Sequence, residues 1–320
     1  MAVGKTAAVV SIVLAVAAPC LAEKPDSPGA EPRVLLRQNF PPGKYRMQQA
    51  TETQQTVAPS PDLPPMTVKV TQELTSEVTV SKPDAKGIKK MVLAFSRVKM
   101  SAPGLEMDST DPASLEKTPM GEIFKPILKT KVVMLVDEKG RTLSIKGLDA
   151  MWDEMGKTSP RMSRFTQKMK KQMGDHMMRQ MLGLGNEMVP AKPVGVGAVW
   201  HVKTAQEVPI IGKATVASEC ELATLERTAA GRVATIRFTA DLKTTGGGDM
   251  GMGGVPLKIS RMDLKQAGQI VMNADTGMVS EHTVNQKGKL GMAVGGPNGQ
   301  QQEIISNIVN KTKTTITRLD

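Results

Sequence analysis

MTVKVTQELTSEVTV, residues 66–80, decides the fold. Its even positions Met66, Val68, Val70, Leu74, Val78 and Val80 are apolar, and every odd position from Thr67 to Thr79 is Thr, Lys or Glu. Alternation with a period of two marks a strand with one face buried and the other in water. Fifteen such residues extend about 50 Å at ~3.3 Å each, well beyond an ordinary strand. A strand of that length has to twist and curl, so the expected sheet is strongly bent.

Outward from this stretch the chain continues in β character. SKPDAKG forms a turn and IKKMVLAFSRVKM returns as the next strand. Upstream, the proline loop APSPDLPP (58–65) separates it from PPGKYRMQQATETQQTV, a turn and a strand carrying the only tyrosine, Tyr45. Downstream, SLEKTPMGEIFKPILKTK predicts one or two short helices interrupted at Pro126. KVVMLVDEKGRTLSIKG (131–147) is a hairpin around an Asp-Glu-Lys-Gly turn. A helical zone covers 148–182, after which VPAKPVGVGAVWHVKT reopens β structure with Trp200.

The plan then repeats. KATVASECELATLERTAAGRVATIRFTADLKT echoes residues 66–100 as strand, turn and strand, and GQIVMNADTGMVSEHTV (268–284) echoes the earlier hairpin. TKTTITRL closes as an edge-like strand. The predicted class is α+β: a large, curved, half-barrel-like antiparallel sheet, in two related halves, packed on a helical insertion. Its divisions are a signal peptide at 1–22, a Pro-rich disordered spacer at 23–33, β-rich halves at 34–147 and 191–320, and the insertion at 148–190.

Lys5 followed by AAVVSIVLAVAAP and the small residues of CLA predicts secretion with cleavage after Ala22. The apolar run is too short to span a bilayer, so no transmembrane segment is expected after cleavage. Pro19 before Cys20 is the wrong residue for lipid attachment. Cys220 is then the only thiol, so an exported chain relies on packing and has no internal disulfide. The formal charge of +11 suits an anionic envelope surface, whereas export and 2% aromatics argue against nucleic acid.

Chemical motifs are sparse. GGGDMG (246–251) matches GxGxxG but runs on into glycine and a strand-like segment, where a dinucleotide site needs a helix, so it is expected to be a loop between antiparallel strands. Ser96 and Lys99 match SxxK, yet that spacing in a strand places them on opposite faces. Cys220 shares a face with Ala214, Val216 and Leu222 and is expected to be buried. His201 is expected at the surface, and His282, just past a turn, has no evident partner. No catalytic residue, metal site or cofactor is assigned.

The densest feature is RMSRFTQKMKKQMGDHMMRQM, residues 161–181. At ~100° per residue Met162, Phe165, Met169, Met173, Met177 and Met181 form one helical stripe, with Arg164, Lys168, Lys171 and Arg179 largely opposite. Nine of the 23 methionines fall in residues 151–190. The stripe suits plain core packing, an adaptable lid or binding face, or thioether coordination of copper(I). It is taken as the ligand-facing surface; scattered histidines and a lone thiol give a metal no further support.

PPGKYRM, DEKGRTLSIKG, KPVGVGAVW and NADTGMVSE resemble, in order and character, an uncharacterised family of exported bacterial proteins common in planctomycetes and known as a domain of unknown function. At the level of architecture the chain is also similar to the lipoprotein-carrier folds of the bacterial envelope, in which a curved sheet cups an apolar cavity beneath a helical lid. The resemblance implies no catalytic residues. The expectation that results is an exported, non-enzymatic binding protein for a lipid or acyl ligand. The alternative is a structural or protein-interaction module of the cell envelope.

Overall fold

The computed structural model describes residues 33–57, 64–138, 140–157, 163, 166–167, 170, 188–208, 212–245, 257–295 and 301–320. Their strands are β1 (Gly43–Val57), β2 (Met66–Val80), β3 (Lys89–Ala102), β4 (Leu105–Asp108), β5 (Lys131–Val136) and β6 (Thr142–Lys146), followed by β7 (Val199–Val208), β8 (Gly212–Thr228), β9 (Gly231–Thr245), β10 (Leu257–Asn273), β11 (Val279–Gly295) and β12 (Gln301–Arg318). Among the described residues they are accompanied by the helices α1 (Pro112–Lys117), α2 (Pro119–Lys129) and α3 (Leu148–Lys157).

All twelve strands form one antiparallel sheet in the order β6-β5-β3-β2-β1-β12-β11-β10-β9-β8-β7, with β4 on β3. Each strand pairs with the next in sequence except that β5 skips β4 to pair with β3, and β6 does not pair with β7, so the sheet is open there. In addition β12 pairs with β1, joining the last and first strands. The segment predicted to be edge-like is therefore central: TKTTITRL is the end of an 18-residue β12 between β1 and β11. Its Thr- and Lys-rich outer face, normally an edge signature, is water-facing surface on an interior strand.

The period-two reading of residues 66–80 holds from Val70 onward, whereas Met66, expected on the buried face, is 62% exposed at the strand's start. Val70, Val78 and Val80 are buried, and Thr67, Lys69, Glu73, Glu77 and Thr79 are exposed. The same outward polarity recurs on β1 (Lys44, Arg46, Gln48) and β12 (Glu303, Lys311, Lys313). A lipid-facing barrel would show the reverse, apolar residues outward. Among the described residues no helix is long and apolar enough to cross a membrane.

Where the register slips, the residues explain it. The β2–β3 ladder shifts between Thr75 and Ser76, which face Arg97 and Phe95 and leave Ser96 as the extra residue. This bulge lets both Phe95 and Val98 pack into hydrophobic clusters although three positions apart. The helix interruption also lies elsewhere than expected. Pro126 sits inside α2, and the break between α1 and α2 falls at Thr118, whose hydroxyl accepts from the Gly121 amide. Pro119 then occupies the first turn, where its missing N–H costs nothing.

The main core lies at one end of the sheet's inner face. Tyr45, Val78, Leu93, Val132, Met134, Trp200, Cys220, Leu222, Ile236, Phe238 and Met272 belong to a single buried cluster that reaches from β5 to β7. Residues 34–40 cross it. The amide and carbonyl of Val34 pair with Val194 at 2.9 Å each, and Leu36 and Phe40 are buried in the cluster. Asn39 donates its amide to the Gly277 carbonyl at 2.8 Å, and its side-chain oxygen accepts from Lys89 Nζ. Lys89 opens β3, and Gly277 lies in the β10–β11 turn. Along a flat sheet those sites would be about 20 Å apart at ~4.8 Å per strand. Two side chains do not span that gap, so the sheet bends toward the segment. Gly277 has φ +79°, and a Cβ there would lie 2.2 Å from the Arg37 carbonyl, so only glycine permits the approach.

The predicted helical insertion is described in part. α3 begins it and buries Met151 and Met155. Beyond α3, Ser163, Thr166, Gln167 and Lys170 are helical, and Lys170 pairs with Asp153 of α3. The observed protein is dominated by its sheet, with few helices.

Candidate functional site

Above the main core the inner face changes character. On β1, β12 and β11 it carries hydrogen-bonding side chains in adjacent rows. Thr51 and Thr312 share a hydroxyl–hydroxyl bond of 3.2 Å; Thr53 donates to Asn310 Oδ1 at 3.3 Å; Gln55 Nε2 donates to Ser306 Oγ at 3.0 Å. Asn310 Nδ2 extends the row to Gln286 Oε1 at 3.1 Å. Parity explains the placement: Tyr45↔Arg318 and Thr51↔Thr312 set the register, so odd residues of β1 and even residues of β12 point inward.

Apolar walls flank this polar ladder. Toward β8 lie Val216, Ala240, Leu242 and Leu264, with Met262 half-buried against them. Toward β3 lie Val98 and Met107, joined by Leu115 of α1 and by Leu74, Met100 and Phe124. Thr244 Oγ1, at the end of β9, and Ser76 Oγ are buried with no hydrogen-bond partner among the described residues. Unpaired buried hydroxyls carry a real cost, so Thr244 in particular offers an unused hydrogen bond beside the first wall. Gln49, Gln266, Gln286 and Leu290 of the same face are only half-buried.

The sequence-predicted site residues Met162, Phe165, Met169, Met173, Met177 and Met181 lie outside the described residues, as does the glycine-rich stretch 246–254 expected to be a loop. The strands flanking that loop, β9 and β10, are an antiparallel pair. Cys220 is buried with Ala214, Val216 and Leu222, as expected. His201 is exposed and meets Glu219 at 3.2 Å. His282 Nε2 has no hydrogen-bond partner among the described residues, in line with the lack of an evident one. Its ring packs against Phe238 at 5.8 Å, Nε2 is shut off from solvent, and burial pushes its pKa down.

Other shifted groups serve the scaffold. Lys89 donates to the Phe40 carbonyl at 2.9 Å as well as to Asn39, and burial lowers its pKa. Tyr45 gives its hydroxyl proton to the Pro41 carbonyl at 2.7 Å; burial raises its pKa. Asp108 receives Arg97 Nε at 3.1 Å and the Thr110 amide and hydroxyl, and the guanidinium holds its carboxyl well below the usual range. Among the described residues no three His, Cys, Asp or Glu side chains group to hold a metal ion.

The polar ladder had no signature in sequence. TETQQTV is polar on both faces, so alternation cannot say which side chains turn inward. In β12 the signal misleads, because Ile305 and Val309 are exposed on the outer face while Ser306 and Asn310 are buried on the inner one.

Residues 86–279 match a family of unknown function, DUF6263, which is well over half the chain. No curated protein matches. Among solved structures, DynF from the dynemicin biosynthesis pathway of Micromonospora chersina is 8% identical over 94% of this chain and 95% of its own, with a TM-score of 0.22. The β domain of the Bordetella autotransporter BrkA is 11% identical over 85% and 99%, also with a TM-score of 0.22. Both likenesses are too slight to bear on fold or role.

Proposed function

The chain belongs to that family of unknown function, and from its own geometry we propose that it is an exported, non-enzymatic binding protein for an amphipathic lipid or acyl ligand. The single observation that supports this is the inner face beyond the main core: a polar ladder on β1, β12 and β11 set between two apolar walls. An acyl chain would lie along Leu242, Leu264 and Met262. Its polar head would trade hydrogen bonds with the Asn310–Gln286 row and the free hydroxyl of Thr244. Apolar contact supplies most of the affinity in such sites, and a few placed polar groups fix orientation.

In this reading the bent sheet is a half-barrel of two related halves. Supporting the relation, the β5–β6 and β10–β11 turns are built alike. Gly140 and Gly277 both have positive φ, and each donates its amide back to a carbonyl at the turn's start, that of Asp137 or Asn273. The methionine stripe at 162–181 is the lid, and the signal at 1–22 delivers the protein to the envelope. The likeness to lipoprotein carriers and the planctomycete-type origin belong to this proposal.

The test is a delipidated, refolded sample titrated with a dansylated fatty acid. Saturable enhancement of emission is expected, weakened at least about tenfold by Leu242→Asp combined with Leu264→Asp. No saturable uptake by the native protein refutes the reading. A second reading, a structural or protein-interaction module, is favoured by the exposed apolar pair Ile305 and Val309 on the outer face of β12. Loss of a self-association or pull-down signal in an Ile305→Lys, Val309→Lys variant, with no fatty-acid uptake by native protein, would select it.

A further inference from the structure

A second concavity lies outside the sheet's inner face, between the two longer helices. It is a cleft of about 550 Å³ with Lys125, Lys129 and Lys131 on one side and Ala150, Glu154 and Lys157 on the other. That volume is in the range of small-ligand sites.

Its construction follows from helical spacing. Gly147, Ala150, Glu154 and Lys157 recur at intervals of three, four and three, so one stripe along α3 forms one wall. A neighbouring stripe of the same helix, Met151 and Met155, about 100° further round, is buried. The facing wall is the last turn of α2, with Lys125, Pro126 and Lys129, and the chain then turns through Thr130 into Lys131 at the start of β5. Thr130 Oγ1 is tied to the Pro126 carbonyl at 2.8 Å, which holds this corner closed. Gly147 has φ +98°, and a Cβ there would sit 2.2 Å from the Lys131 carbonyl, so glycine alone allows β6 and α3 to approach β5 so closely. The small side chain of Ala150 leaves the floor open.

The charge lining the cleft is one-sided. Four lysines face one carboxylate, a formal sum of +3, and that carboxylate, Glu154, is already paired with Lys157. Lys125, Lys129 and Lys131 have no carboxylate partner among the described residues. A cation at the end of α2 is ordinary complementarity to the helix dipole, and Lys129 alone would satisfy it. The same complementarity covers Lys157 in the last turn of α3, but it does not account for Lys131, on a strand, facing the same space. Unpaired ammonium groups brought together from separate elements repel one another and attract a shared counter-charge.

We propose that this cleft is a binding site for a small multivalent oxyanion. The ligand carries two or more phosphate or carboxylate groups held by Lys125, Lys129 and Lys131, while Glu154 restrains Lys157 and sets the inner limit of the site. The site is independent of the apolar inner face, so either can stand without the other.

Isothermal titration at low ionic strength with pyrophosphate, and separately with citrate, tests it on the full chain. One-site binding of at least one anion is expected, weakening steeply with added salt. Lys129→Ala with Lys131→Ala should weaken binding at least about tenfold, and Glu154→Gln should tighten it. Preference for pyrophosphate or for citrate identifies the source of the oxyanion. The control is Lys287→Ala with Lys289→Ala, two exposed lysines of β11, which removes the same charge elsewhere; circular dichroism confirms that each variant folds. Absence of binding for both anions, or an equal loss in the control variant, overturns the assignment.

Discussion

Acidification should weaken the fold through one buried imidazole. His282 packs beside Phe238 with Nε2 shut off from water, and burial lowers its pKa. An imidazole in the unfolded chain titrates near 6.5. Below that pH the unfolded state binds more protons than the folded one, so stability falls as pH drops through about 6.5 and stops falling once the folded-state pKa is reached. At pH 5.5 the unfolded imidazole is about ten-elevenths protonated, which sets a ceiling of RT ln 11, about 1.4 kcal/mol, on the loss relative to neutral pH. For a domain of this size that corresponds to roughly 3–6 °C in Tm. Urea unfolding of the native protein and of His282→Phe at pH 7.5 and 5.5 measures it. The difference between the two proteins isolates this residue from His176, His201 and the carboxylates. The reasoning is refuted if both lose the same stability over that interval.

Three further outcomes follow from the scaffold. Lys89→Met leaves the Phe40 carbonyl and Asn39 without their donor; a cost of about 1–3 kcal/mol is expected, with faster hydrogen exchange at the Val34 and Asn39 amides. Gly268 of β10 faces Phe238 of β9, and a Cβ there would lie 2.1 Å from the Thr283 carbonyl and 2.7 Å from the Phe238 ring. Gly268→Val should therefore cost 3 kcal/mol or more, on the order of a severe overpacking change, read as a lowered urea midpoint or insoluble expression. Asp108→Asn removes the charge that holds Arg97. Because Asp108 is partly exposed, about 1 kcal/mol is expected at neutral pH after screening by solvent. Native stability from this carboxyl is present above pH ~4 and declines as pH falls toward its lower folded-state pKa, whereas the variant should show no such decline from this site.

The parts of the fold legible in sequence were those where one face differs from the other. Residues 66–80 announced themselves because Thr, Lys and Glu on odd positions contrast with Val on even ones. The 131–147 hairpin was marked by its glycine, which takes φ +77° at Gly140. Cys220 was placed by its apolar neighbours at intervals of two. What escaped depends on pairings between distant residues. TKTTITRL carries edge chemistry and becomes central only because residues 45–51 pair with it. His282, half-buried, packs its ring against Phe238, 44 positions earlier, and no local pattern records that. The cleft between α2 and α3 was invisible for the same reason: Lys125 and Lys157 are ordinary surface lysines until two helices and a strand turn them toward one space.

The strand order has a consequence for how the chain folds. Apart from β3–β5, which skips only the short β4, every other ladder joins strands that follow each other, yet the β1–β12 ladder brings together Thr51 and Thr312, 261 positions apart. Closing a loop of that length costs roughly 3 kcal/mol more than closing one of ten residues, so this pairing should zip last and set the rate of folding. Leu319 and Lys44 already share a backbone bond there, and Arg318 reaches the Pro42 carbonyl. A chain whose C-terminus is joined by a flexible linker to the residues ahead of Val34, and which is opened between β6 and β7, would keep every ladder and the buried segment 34–40 while removing the long closure. It should refold faster than the native order at nearly unchanged stability, and a stopped-flow comparison of the two would read the entropy of the long closure directly.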